Sequence, residues 1–553
     1  MTSPATPPTP ATVTAPTVSP TPATPATPAR PARPAPVPAP ATVPGMLRLR
    51  AAQEPDRAAV VVEGGPELTF GEWERRSDAV AHGLLERGVR HGDRIGLLFG
   101  SRDWADFSVA YCAVLKAGAV AVPVSDRLAP AEVRHMLEHC SASAVLCGTG
   151  LVPPGGSDRW SAAVADLEDG TDTPPDVRVS PGDLAQILYT SGTTGLPKGV
   201  GASHANLAYG CETRPNRRRF GHSRHLLHAF PIGTNAGQTM LINALDARPA
   251  MLTLARFTPA RFARLIESRG VGTVFVVPAM AIEFLNAGLH ERHDMSSVLL
   301  LGSAASALPP AVAVRLAAAF PKATITNYYT STEAAPAQTI MIFDPSRPGA
   351  LGRPAAGAAL RVADPQGRAL PRGETGEVWL RSPTAPRSYY RDERSGTETF
   401  RDGWVRMGDL GYLDDGGYLH LVDREGDVVK SGAFKVSTIQ VEAALHEHED
   451  VAEAAVVGVP HPVLGTVVAA AVVLRSTRSD RPDGDGEPSG PGGPGGGFAG
   501  ELRAFLMERL AGHELPDRVL VVDALPRNQS GKVIKRELRG LFEAAAAGRT
   551  EGT

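Results

Sequence analysis

Cysteine is scarce in this sequence. Its 553 residues contain four, Cys112, Cys140, Cys147 and Cys211. Their spacing matches neither a zinc site nor a secreted disulfide framework, so they read as small buried apolar residues in a reducing compartment, the cytoplasm. Aromatic residues make up 5%, too few for the stacking platforms that hold single-stranded nucleic acid. The formal net charge of −3 gives no electrostatic ground for a nucleic-acid or anionic-membrane partner. No apolar run approaches the about 20 residues of a membrane-spanning helix, and the N-terminus lacks the apolar core of a secretory signal.

What is present is the balance of a folded chain, 42% hydrophobic and 21% charged, long enough for two or three structural units. Residues 1–45 are rich in Pro, Ala and Thr; such a segment cannot bury apolar area and is expected as a disordered or polyproline-like tail. From Met46 onward strand and helix patterns alternate. Leu68–Thr69–Phe70 ends a strand and leads into an amphipathic helix, 93–99 reads as a buried strand, and 105–117 is a small-residue helix that stops at Gly118. This alternation predicts parallel sheets covered by helices. Near Glu374 the pattern turns β-rich, with short strands at 377–380, 412–413 and 418–421. A compact α/β region follows, with helices at 438–446 and 502–510 and strands near 451–459 and 467–474. The expected class is therefore α/β (α+β): a large domain over 46–424, a small one over 425–543, and a terminal tail at 544–553. Residues 476–497, dense in Gly, Pro, Asp and Ser, form a flexible surface loop within the small domain.

The chemistry centres on one loop. A strand-like run, Leu184–Ala185–Gln186–Ile187–Leu188–Tyr189, breaks into Thr190–Ser191–Gly192–Thr193–Thr194–Gly195–Leu196–Pro197–Lys198–Gly199. Glycines let backbone amides approach an anion, hydroxyls donate to it, and Lys198 adds a positive charge. A Walker loop would need Ser or Thr after the lysine and a helix to follow; Gly199–Val200 supplies neither.

This loop closely resembles the signature of the adenylate-forming superfamily, which contains acyl-CoA synthetases, peptide-synthetase adenylation domains and luciferases. Further segments extend the likeness from Met46 to about Phe542. They are Lys116–Ala117–Gly118–Ala119–Val120–Ala121–Val122–Pro123, Tyr329–Thr330–Ser331–Thr332–Glu333, Gly403–Trp404–Val405–Arg406–Met407–Gly408–Asp409–Leu410, Asp423–Arg424, Lys430–Ser431–Gly432, and Pro526–Arg527–Asn528–Gln529–Ser530–Gly531–Lys532. The resemblance implies a large N-terminal domain and a mobile C-terminal lid. It implies ATP, Mg²⁺ and coenzyme A as cofactors, a carboxylic acid or its adenylate as small-molecule partner, and a monomer or homodimer. The implied activity is that of an ATP-dependent acid–thiol ligase, an acyl-CoA synthetase that works through an acyl adenylate.

The same resemblance implies the roles. Thr190, Ser191, Gly192, Thr193, Thr194, Gly195 and Lys198 would hold the triphosphate, and Thr332 the α-phosphate. Glu333 would bind Mg²⁺, a hard ion suited to a carboxylate. Tyr329 would stack on adenine beside a shelf at Ala305 and Ser306, within Gly302–Ser303–Ala304–Ala305–Ser306–Ala307–Leu308. Asp409, assisted by Arg424, would take the ribose hydroxyls, and Lys532 would bridge carboxylate and phosphate oxygens. A hinge at Gly426 would then rotate the lid for the thiol step.

Several residues depart from the family pattern. Thr330 replaces a glycine and is expected to press on the nucleotide or acyl group. Ala433 follows Gly432 in a turn beside the pantetheine path where the family has a second glycine, and Met407 replaces a threonine. In Pro231–Ile232–Gly233–Thr234–Asn235–Ala236–Gly237, Gly233 and Thr234 replace an aromatic and a histidine, which predicts room for a wide or branched acid. Arg217–Arg218–Arg219 reads as a solvated charge run. Two alternatives stay open: an enzyme specialised for one half-reaction, such as thioesterification of a preformed adenylate, and an adenylating enzyme that loads a separate carrier protein.

Overall fold

The computed structural model describes residues 40–154, 159–168, 170–190, 197–355, 357–424, 426–431, 434–461, 463–475 and 497–550. Residues 1–39 and 551–553 of the two expected tails, most of the loop at 476–497, the loop residues Ser191, Gly192, Thr193, Thr194 and Gly195, and the turn residues Gly432 and Ala433 lie outside them. The described parts correct the expected tails at 1–45 and 544–553: a helix already begins at Val43, capped by Thr42, and the last helix, Lys535–Thr550, runs through the Ala-rich stretch expected as tail.

Two large sheets with parallel centres form the body of the molecule. In a nine-stranded sheet the parallel core runs Thr324–Tyr329, Leu300–Ser303, Thr273–Val276, His225–His228, Ala250–Thr253, Ala58–Val62. A seven-stranded sheet places Leu184–Thr190, Val120–Ser125, Arg94–Phe99, Ala144–Cys147 and Trp160–Ala163 side by side in parallel. Its other edge is antiparallel: Lys198–Ser203 returns beside Leu184–Thr190, and the short strand Ser388–Tyr389 adds to it. Strands buried on both faces read as apolar runs, as Val120–Ser125 does up to its last residue. The alternation of strands and helices in the sequence thus gives the expected parallel sheets, with antiparallel margins that periodicity does not reveal.

Local signals explain the element ends. Thr69 caps Phe70–Glu86 in a capping box with Glu72, its hydroxyl accepting from Glu72 N. The helix Trp104–Lys116 stops because Gly118 turns left-handed (φ +73°), where an added Cβ would lie 2.8 Å from His91 Cδ2. Trp73, Trp104, Phe70, Phe107 and Phe262 fill the main core. The four cysteines are buried free thiols, and burial pushes Cys112 and Cys211 up to about 12. Arg218 corrects the reading of its neighbourhood as a solvated run: it is buried, donates to Gln53 Oε1 at 2.7 Å, and ties the first helix to the body.

An antiparallel five-stranded sheet follows, containing Gly376–Arg381, Trp404–Leu413 and Leu419–Arg424. A second five-stranded sheet, built on the long hairpin of Val451–His461 and Gly465–Leu474, carries its own apolar core of Val436, Val441, Leu445, Val456, Val468 and Leu506. The helix predicted at 438–446 is Thr438–Leu445, and the one predicted at 502–510 starts earlier, as Phe498–Met507. Among the described residues no helix is long and apolar enough to cross a membrane.

Candidate active site

The sequence-predicted residues converge where parallel strands end. Tyr329 closes one strand of the large sheet and Thr190 one strand of the other, the edge at which open α/β sheets bind ligands. Asp409 and Arg424 are opposite each other on adjacent antiparallel strands. Tyr329 donates from its hydroxyl to Asp409 Oδ2 at 2.6 Å, and Arg424 Nε lies 3.3 Å from Asp409 Oδ1. Asp409 is buried while Arg424 stays exposed. Burial and the neighbouring Asp409 carboxylate hold the Tyr329 phenol well above its ordinary value, so it donates rather than ionises.

Lys532 reaches this group from the last loop. Asn528 Oδ1 accepts from Ser530 N and Lys532 N, each at 3.0 Å, and Arg527 Nη1 donates to Gly531 O at 2.7 Å. The loop is therefore fixed before any ligand arrives. Gly531 is left-handed (φ +77°), and a Cβ built there would lie 3.1 Å from Val277 Cγ2, so the loop rests on the large-sheet side. Burial first, and Arg424 second, lower the Lys532 ammonium to about 8 against the pull of Asp409.

Lys198 and Glu333 are joined by residues that sequence reasoning missed. The strand Ser388–Tyr389 runs beside Val200 and Gly201, and Tyr390 N donates to Gly199 O at 2.8 Å. That placement brings Ser395 Oγ within 2.5 Å and Asp392 Oδ2 within 3.6 Å of Lys198 Nζ. Tyr389 donates to Glu333 Oε1 at 3.1 Å. Arg387, which is buried, donates to Thr332 O at 3.0 Å and Asn206 Oδ1 at 2.9 Å, and Asn235 Oδ1 lies 3.5 Å from it. Burial pulls the Arg387 guanidinium down to about 10, with Glu333 opposing, so it remains a cation at neutral pH. The signal for this segment was available: Arg387–Ser388–Tyr389–Tyr390–Arg391–Asp392 is an aromatic and charged run inside a Pro-rich loop.

Other expectations change on inspection. Thr330 does not press into the site: its hydroxyl turns to Ala337 O at 2.6 Å and closes its own loop. Thr234 caps the helix Asn235–Asp246, accepting from Gly237 N at 3.0 Å and donating to Pro231 O at 2.8 Å. Gly233 opens no space along its Cβ direction, because a Cβ there would lie 2.9 Å from Ser125 N. Ser125 thus occupies the direction a side chain at Gly233 would take. Ala305 is exposed and left-handed (φ +76°), a conformation a non-glycine residue adopts at a cost, and Ser306 beside it is exposed too. The strand below this turn carries Ser303, paired in register with Asn327; Ser303 Oγ and Asn327 Oδ1 are buried with no hydrogen-bond partner. Gly426 is exposed, with open space around its Cβ position.

Similarity to known proteins agrees with this geometry. Residues 47–390 match the family described as AMP-binding enzyme, and residues 440–532 match the AMP-binding enzyme C-terminal domain. A feruloyl-CoA synthase of Amycolatopsis sp is 33% identical, over 90% of this chain and 99% of that protein. The 4-coumarate–CoA ligase 5 of Oryza sativa subsp. japonica is 28% identical over 90% of this chain and 93% of its own. Among solved structures, the O-succinylbenzoate coenzyme A synthetase of Bacillus subtilis in complex with ATP and magnesium superposes with a TM-score of 0.74 at 25% identity, covering 89% of this chain and 99% of that one. The chain belongs to the AMP-binding enzyme family, as an AMP-forming acyl-CoA ligase of the adenylate-forming superfamily.

Proposed function

We propose that this ligase activates a bulky, aryl-substituted carboxylic acid through its adenylate and transfers the acyl group to coenzyme A in the cytoplasm. The observation that carries the reading is the gathering of Tyr329, Asp409, Arg424 and Lys532 at one strand edge, with Glu333 and Lys198 held by Tyr389 and by Asp392 and Ser395 of the same short segment. The acid class rests on the feruloyl and coumarate relatives. The compartment rests on four thiols kept unpaired.

Both reactants of the first step are anions, so the protein's work is positioning and charge neutralisation. Asp409, oriented by Tyr329 and flanked by Arg424, accepts from the ribose hydroxyls. Ser303 and Asn327, whose buried polar atoms have no partner, suit the polar edge of adenine above the Ala305–Ser306 turn. Lys198 and Thr190 take the outer phosphates with the rest of their loop, and Thr332 takes the α-phosphate. The Glu333 carboxylate, which accepts from Tyr389 through one oxygen only among the described residues, has the other for Mg²⁺; the ion neutralises phosphate charge when bound. No group of three metal-ligating side chains exists among the described residues, which fits an ion held by one carboxylate and substrate phosphates. Lys532 donates to the acid's carboxylate and the α-phosphate as the acyl oxygen attacks phosphorus and pyrophosphate leaves. Rotation at Gly426 then withdraws Lys532 and opens the acyl carbon to the thiol, which displaces AMP.

With Thr330 turned toward Ala337, a full first half-reaction is favoured over a restriction to the second. An acid panel with ATP and coenzyme A tests the substrate class. Turnover of hydroxycinnamic-type acids is expected, and reaction with short linear acids alone would refute it.

A further inference from the structure

Gly426 separates two groups of residues that are nevertheless bonded to each other. Before it stand Val422, Asp423 and Arg424 at the end of Leu419–Arg424; after it come the helix Thr438–Leu445 and the helix that begins at Lys535. Asp423 is 1% exposed and Thr438 0%. Thr438 donates to Asp423 twice, from its amide to Oδ2 at 2.6 Å and from its hydroxyl to Oδ1 at 3.2 Å. Ser437, the cap of the same helix, donates from its hydroxyl to Val422 O. The contact continues: Lys535 Nζ donates to Thr438 Oγ1 at 2.7 Å, with Asp427 and Glu442 each 3.6 Å from the same nitrogen.

We propose that Asp423 is a positioning residue for adenylation, clasping Thr438 across the hinge so that Lys532 stays over Asp409 and Arg424. The inference rests on the domain rotation proposed above. Lys535 is three residues past Lys532, so the Asp423–Thr438–Lys535 chain ties the lysine loop's own stem to the strand that bears Arg424. The bonds of Lys535 to Thr438, Asp427 and Glu442 lie wholly beyond Gly426 and survive rotation. Those from Thr438 to Asp423 and from Ser437 to Val422 cross it and must break. A carboxylate buried at a helix start, accepting two hydrogen bonds from across the hinge besides one from Arg424 N on its own side, is a strong contact that opens as a unit. Asp423 touches no reacting atom; it acts by fixing where Lys532 is.

Three variants and two readouts test this in the full-length enzyme. The first readout needs no substrate: acetic anhydride labelling of Lys532, scored by peptide mass spectrometry against exposed Lys435 in the same sample. The second compares acid-dependent ATP–pyrophosphate exchange with thioester formation from a synthetic acyl adenylate. Asp423→Ala is expected to raise Lys532 labelling severalfold and lower exchange about tenfold or more, while thioester formation is retained or faster. Thr438→Val, nearly the same shape, should shift both readouts the same way to a smaller degree and covers the case in which Asp423→Ala does not fold. Asp423→Asn keeps an acceptor for the Thr438 amide and should recover much of the exchange. Unchanged labelling, or equal loss in both half-reactions, would overturn the clasp. A wild-type enzyme that forms no thioester would instead defeat the ligase reading, and labelling would still judge Asp423.

Discussion

The Tyr329 hydroxyl donates to Asp409 Oδ2 at 2.6 Å, joining the end of the outermost parallel strand of the nine-stranded sheet to the antiparallel sheet that follows. Arg424 stands 3.3 Å from the other oxygen, so the two residues together fix the orientation of the carboxylate toward a ligand. Tyr329→Phe keeps the ring and removes the donor. The expected result is an ATP KM raised about ten- to a hundredfold, the worth of one hydrogen bond to a charged group, with kcat little changed. Isothermal titration with ATP and steady-state kinetics check it.

Lys532 supplies a pH dependence with a definite sign. Its ammonium titrates near 8 rather than at its ordinary value because it is partly buried beside Arg424. The charged form is the one that neutralises oxyanions, so it is fully present below about 8 and is lost above. Adenylation kcat/KM, which reports the free enzyme, should therefore decline as pH rises through 8. Lys532→Arg should abolish that decline, and Lys532→Ala should lower exchange about 100-fold or more. A flat profile from pH 7 to 9.5 in the wild type would contradict the assignment.

Arg387 links three segments through Thr332 O, Asn206 and Asn235. Removing a buried cation that satisfies several acceptors leaves them unpaired. Arg387→Ala should cost about 2–3 kcal/mol in stability, read as a lower urea midpoint at unchanged slope. Exchange should fall as well, because Thr332 and Glu333 lose their support.

Gly233 offers a test of packing against pocket width. A methyl group there meets Ser125 N at 2.9 Å, backbone that cannot step aside. Gly233→Ala should lower stability by about 1–3 kcal/mol and reduce turnover of every acid in the panel. A variant of wild-type stability that loses only the widest acids would restore the pocket reading of this position.

Much of the site is legible in sequence because the residues that handle phosphate and ribose come in short contiguous strings. Tyr329, Thr332 and Glu333 lie in one string, Asp409 in another and Lys532 in a third. Parallel strands announce themselves likewise, as apolar runs such as residues 120–124. What escapes is everything that depends on tertiary approach. Arg387 and Tyr389 matter because an edge strand at Ser388–Tyr389 happens to lie beside Val200 and Gly201. Thr330 reads as intrusive bulk until its rotamer is seen to face Ala337. Gly233 reads as a vacancy until Ser125 fills it. Arg218, in a run of three arginines, gives no sign that Gln53 and Asp246 enclose it.

Formation of an acyl adenylate on the way to a thioester is the central claim, and product analysis addresses it most directly. The enzyme is incubated with ATP, Mg²⁺, coenzyme A and a hydroxycinnamic-type acid, and nucleotide and acyl products are followed together by mass spectrometry. AMP, pyrophosphate and the acyl-CoA should accumulate in equal amounts, and omission of coenzyme A should leave enzyme-bound acyl-AMP. ADP and phosphate as products, or AMP formed without dependence on any acid, would contradict the account.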